Sequence, residues 1–88
     1  MEKLEKRIIN DLIECIKRAN SYAEQNAIRD NSFSLGQVDA FISVLENMGH
    51  NVYYEYTRKK QYGLNGTHRF EIVEKVTLDN EVIFTKGA

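Results

Sequence analysis

The sequence predicts an α+β domain in the order ααβββ, with two N-terminal helices packed on one face of a three-stranded antiparallel sheet. Three observations carry this. Apolar residues recur at spacings of three and four up to Met48, and they alternate with polar residues after Gly49. Asn65-Gly66 and Asp79-Asn80 then divide the second half into three strand-length pieces. The 88 residues suffice for one domain, a helical pair over 1–49 and a β-meander over 50–88.

The first helix is expected from about Glu2 to about Arg29. Met1, Leu4, Ile8, Leu12, Cys15, Ala19 and Tyr22 form its stripe, widened by Ile9, Ile13, Ile16 and Ala23. Glu5, Lys6, Lys17, Arg18 and Glu24 form the polar face. Asn20-Ser21 is its weakest point. A turn is expected at Asp30-Asn31-Ser32, followed by a capping box in Ser34-Leu35-Gly36-Gln37. The second helix presents Leu35, Val38, Phe41, Ile42, Leu45 and Met48, and Gly49 ends it in a left-handed conformation.

Strand one is read as Asn51 to Arg58, with Val52, Tyr54 and Tyr56 on one face. Lys59 to Thr67 reads as a loop, because Gly63 and Asn65-Gly66 supply turn chemistry. Strand two spans His68 to Leu78, with Phe70, Ile72, Val76 and Leu78 on one face. Glu74 continues that face, and Lys86 on the neighbouring strand is its expected partner. Asp79-Asn80 turns the chain into strand three, Glu81 to Lys86. A two-residue loop would pair Val76 with Ile83; one further residue pairs it with Phe84, which is preferred because it buries the aromatic.

A helix of about 27 residues is about 40 Å long. A compact chain of this size is about 30 Å across. The first helix therefore either breaks near Asn20 or carries its excess onto a second chain, as a homodimer through that helix.

No catalytic constellation is found, so no enzyme is expected. His50, His68 and Cys15 offer three zinc ligand types, yet their spacing matches no zinc motif. A buried structural cysteine and two surface histidines are expected, with no metal and no cofactor. A catalytic thiol needs a helix N-terminus or a neighbouring cation, and Cys15 lies mid-helix among isoleucines, so it is not expected to be a nucleophile. Glu71 and Glu74 are three apart on a strand and point to opposite faces. Gly63-Leu64-Asn65-Gly66 lacks the lysine and following helix of a phosphate loop.

The net charge is −1, but it is uneven. From Glu55 to Arg69 four cations face one acid, a local charge of +3 against −4 for the remainder. This stretch interleaves tyrosines with cations, and Arg58, Lys59, Lys60, Tyr62, Arg69 and Tyr53 are the expected partner-binding residues. Such a patch suits an acidic protein surface; nucleic acid, held at phosphates with a tyrosine stacked on a base, is the rival. The expected function is non-catalytic binding of a macromolecular partner by occlusion or as an adaptor. An inhibitor of a host defence or regulatory protein would act in this way. Length and composition resemble small accessory proteins of low-GC phages and mobile elements, a resemblance that covers no motif. One cysteine, no leader-like apolar segment and no run long enough for a bilayer point to the cytoplasm, without a membrane.

Overall fold

The computed structural model describes residues 3–63 and 66–87. Met1 and Glu2 of the expected first helix, and Leu64 and Asn65 of the expected loop, lie outside the described residues. The order is α1 (Lys3–Glu24), α2 (Ile28–Asn47), β1 (Val52–Gly63), β2 (Gly66–Leu78) and β3 (Glu81–Thr85). The strands form one antiparallel sheet in the order β1-β2-β3, as the sequence predicts.

Both helices end in the same way. Asn26 adopts a left-handed φ of 59°, the Asn26 N–H bonds the Ala23 carbonyl and the Ala27 N–H bonds Tyr22. Gly49 (φ 95°) repeats the pattern at the end of α2, with Gly49 bonded to Glu46 and His50 to Leu45. This paired closure satisfies carbonyls that a helix end leaves open. It ends α1 at Glu24, five residues before the expected Arg29. The break is at Asn26, not Asn20.

The α2 helix then begins at Ile28, without a side-chain cap. Asp30-Asn31-Ser32 is therefore helix rather than turn, and Ser34 is a buried helical residue rather than the head of a capping box. Gln37 meets Cys15 instead, with the thiol 3.7 Å from its Oε1. At 22 residues, α1 is about 33 Å long and folds back on α2. The length argument for a homodimer through α1 therefore loses its premise.

Ile9, Leu12, Cys15 and Ile16 of α1 pack with Val38, Ile42 and Leu45 of α2 and with Val73, Val76 and Leu78 of β2. Leu4, expected in the stripe, is 60% exposed.

The expected loop Lys59 to Thr67 is mostly strand. β1 runs five residues past Arg58, and β2 begins at Gly66, so the two form a long twisted ribbon. Hydrophobic alternation cannot mark such a segment, since it has water on both faces over much of its length. It makes the molecule elongated, 48 × 20 × 17 Å.

Two bulges set the faces. Glu55 pairs with Lys75 and Tyr56 with Val73, so Glu74 is an extra residue in β2. This explains its odd position in the alternation: Val73 takes the core place, while Glu74 bonds the Thr57 hydroxyl at 2.9 Å and lies 3.8 Å from Lys86. At the second hairpin Asp79 and Asn80 have φ of 50° and 70°, a two-residue turn of the type that matches strand twist. Val76 nevertheless pairs with Phe84, because Ile83 bulges out between Val82 and Phe84. The preferred register is thus reached with the shorter turn, and Ile83 and Phe84 both become half-buried.

The edge of β2 beyond β3 is closed by side chains. The Asn20 amide donates to the Val73 carbonyl and accepts from the Val73 N–H, both at 2.9 Å. Asn31 donates to the carbonyls of Ala19 (2.8 Å) and Glu71 (3.2 Å). Two buried amides therefore stand where a longer third strand would have been.

Candidate functional site

The ribbon presents two faces. Pairing places Val52/Leu78, Tyr54/Val76, Tyr56/Val73, Arg58/Glu71, Lys60/Arg69 and Tyr62/Thr67 on one, and Thr57/Ile72, Lys59/Phe70 and Gln61/His68 on the other. At the base the first face is the core face. Two-stranded ribbons twist strongly, and a bulge adds to this. By Arg58 the first face has turned to solvent, and Phe70 on the second is buried at 1% exposure.

This sorts the six expected binding residues. Arg58, Lys60, Tyr62 and Arg69 share the outward face and are exposed, and Tyr56, expected on the face of Val52 and Tyr54 and absent from the six, joins them at the point where that face turns to solvent. The Arg58 guanidinium lies 5.5 Å from the Tyr56 ring centre, and the Tyr56 ring is 5.6 Å from that of Tyr54. Tyr62, 77% exposed, closes the stripe about 14 Å from Arg58. Tyr53 is exposed but sits on the other face, near the base.

Lys59 departs from the group. Its ammonium bonds the Ala23 carbonyl (3.3 Å) and Asn26 Oδ1 (3.1 Å) and lies 6.0 Å from the centre of the Phe70 ring. It fastens the ribbon to the carbonyl end of α1, where a cation is favoured. Sequence charge counting could not separate it from Lys60, because the two differ only in strand parity.

Lys60 stands directly opposite Arg69, and among the described residues neither has a salt-bridge partner. Like charges in this position repel. Glu71 is the acid on the same face. Partial burial, and then the nearby Asp39, push its carboxyl above the usual range, while Arg58 pulls it down. Burial also raises the Tyr54 phenol, with Glu71 and Asp39 adding to it. The outward face of the ribbon therefore carries three cations, Arg58, Lys60 and Arg69, against one acid, Glu71.

The histidines lie apart. His68 is on the distal ribbon opposite Gln61, while His50 precedes β1, so roughly 30 Å of strand separates them. No metal-holding group of His, Cys, Asp and Glu occurs among the described residues. Cys15 is buried, as expected, but a cation does stand beside it: one helical turn along, Arg18 donates from Nη2 to the sulfur at 3.1 Å.

His50 is instead a clasp. Its Nδ1 is 2.7 Å from Asp79 Oδ2, and Nε2 makes a longer contact, 3.4 Å, to Glu5. Asp79 Oδ1 accepts the Asn51 N–H. One ring thus joins α1, the α2–β1 connection and the β2–β3 turn. The Asp79 bond raises the imidazole above its ordinary 6.5, and the His50 bond holds Asp79 below 3.8. The imidazolium contribution is full below about 6.5 and fades as pH rises through the raised value. The carboxylate contribution is full above about 3.8 and fades as pH falls through the lowered one. The clasp's contribution to the thermal midpoint is therefore expected to be largest between these pH values, and His50→Gln should flatten the fall of the midpoint on the alkaline side. An unchanged slope in that variant would remove the clasp as the cause.

No protein-family model matches the chain, and neither the curated proteins nor the solved structures include a significant match to it.

Proposed function

We propose that the protein is a non-catalytic binding protein that uses the outward face of its β1–β2 ribbon to hold an acidic region of a protein partner. The Lys60/Arg69 pair carries this reading. Two cations held side by side, with no salt-bridge partner among the described residues, are unfavourable in the free molecule, and an arriving carboxylate cluster relieves them. Arg58 and Lys60 supply charge, Tyr56 and Tyr62 supply broad amphipathic contact area, and Arg69 completes the pair. Occlusion of the partner's acidic surface is the mode of action, in the manner of an inhibitor or adaptor. A buried unpaired Cys15 suits a reducing compartment, so the cytoplasm is the proposed location. No helix among the described residues is long and apolar enough to cross a membrane.

Lys60→Glu tests the reading, because it is expected to move binding and stability in opposite directions. It replaces a repulsive cross-strand pair with an attractive one, so unfolding free energy rises by about 0.5 kcal/mol. Capture of the partner from lysate falls at least tenfold. Equal capture by the variant would overturn the site. Tight binding of oligonucleotides at low salt, with a steep loss as salt rises, would transfer the face to nucleic acid.

A further inference from the structure

We infer that the free edge of β1 is the contact between two copies of this chain, joined as an antiparallel, two-fold symmetric extension of the sheet centred on Thr57. This inference rests on the backbone edge and does not depend on the proposed function, although Tyr56, Arg58, Lys60 and Tyr62 of the outward face also line the seam.

β1 is twelve residues long, stands at the end of the sheet order, and has no buried residue. Which of its backbone groups are open follows from the far side of β2. Asn20 occupies both the N–H and the C=O of Val73, and Asn31 bonds the C=O of Glu71. Those groups point away from β1. Their partners Tyr56 and Arg58 are therefore at non-hydrogen-bonded positions, with N–H and C=O aimed outward. Lys60 and Tyr62 follow by alternation. A long open row of this kind is a template for another strand.

The sequence of β1 selects a second β1 as that strand. Two-fold pairing places residues of equal parity opposite one another, since both copies present the same edge. With Thr57 on the axis, Glu55 faces Lys59, Tyr56 faces Arg58, Tyr54 faces Lys60, Tyr53 faces Gln61 and Val52 faces Tyr62. Every cation in the strand then meets an acid or an aromatic ring, and no like charges are opposed. Lys59 has three ammonium donors and uses two within its own chain, on Ala23 and Asn26. The third is free for Glu55 of the other copy. Moving the axis to Arg58 opposes two arginines; moving it to Lys59 opposes lysines on the axis and Arg58 to Lys60 beside it. Moving it to Tyr56 breaks the Glu55–Lys59 match and shortens the pairing.

Sedimentation equilibrium of the whole chain at about 100 µM is expected to give twice the monomer mass of 10.2 kDa. Thr57→Lys opposes two lysines across the axis, yet within one chain it sits beside Glu74, so the monomer should still fold. It is expected to weaken association at least tenfold. Arg58→Pro removes an N–H that faces solvent in the monomer, a position where proline is tolerated, and should have the same effect. Thr57 lies on the face opposite Lys60 and Arg69, so Thr57→Lys should halve the mass while partner capture continues. A monomeric wild-type chain, or folded variants that associate as tightly as wild type, would overturn the inference.

Discussion

Asn20→Ala is expected to lower the unfolding free energy by about 3 kcal/mol, which is roughly 12–24 °C in thermal midpoint for a domain of this size. The side chain is almost fully buried and makes two 2.9 Å bonds to the backbone of one residue, as donor to the Val73 carbonyl and acceptor from the Val73 N–H. Alanine removes the partner of both groups, and each unpaired buried group costs about 1–3 kcal/mol. Ala19, Ala23 and Val73 are fully buried, and Asn20 lines an open hollow with Ser21, Glu24 and Phe84, so water entering there sets the loss within that range. Ser21→Ala, one residue along and exposed, should stay within about 0.5 kcal/mol. Urea titration of both variants decides the matter: a loss below 1 kcal/mol for Asn20→Ala would mean that the amide merely fills space.

Phe70→Ala is expected to cost about 4 kcal/mol, with its effect concentrated in the distal ribbon. Phe70 is the largest of the fully buried side chains, yet it stands apart from the main core cluster of α1, α2 and the base of β2. It is buried on the face that turns inward beyond the Glu74 bulge, with the Lys59 ammonium over its ring and bonded to the end of α1. Without the ring, Lys59 loses its platform and the outer strands lose their hold on the helices. A hairpin detached in this way is marginal in water. Amide exchange from Arg58 to Gly63 and from Gly66 to Phe70 should then accelerate more than exchange in α1. Phe70→Leu keeps most of the volume and should cost about 1.5 kcal/mol or less. Uniform acceleration across the whole chain would show that Phe70 belongs to the common core.

The element order was legible because helical spacing and alternation occupy separate halves of the sequence. Gly49 and Asp79-Asn80 were legible because left-handed backbone positions favour these residue types. Asn26 has the same chemistry and the same role, but the apolar phase of Ala23 and Ala27 runs through it and hides the break. The outer ribbon was illegible for a different reason. Periodicity reports burial on one face, and β1 buries no residue. Charge and aromatic content did locate the outward surface. Only the pairing register shows that Arg58, Lys60, Tyr62 and Arg69 stand together while Lys59 turns under. Glu74 was visible as an anomaly, and the bulge that explains it depends on which residues oppose it.

Asn20 and Asn31 also decide what the molecule does not become. A sheet with two long open margins has two sides on which further strands can pair, the condition for open-ended growth. Here the inner margin is stoppered by two carboxamides from the helices, and the remaining strip along β3 is only five residues long. Lateral recruitment therefore has a single usable side, and a process with one such side terminates once that side is matched.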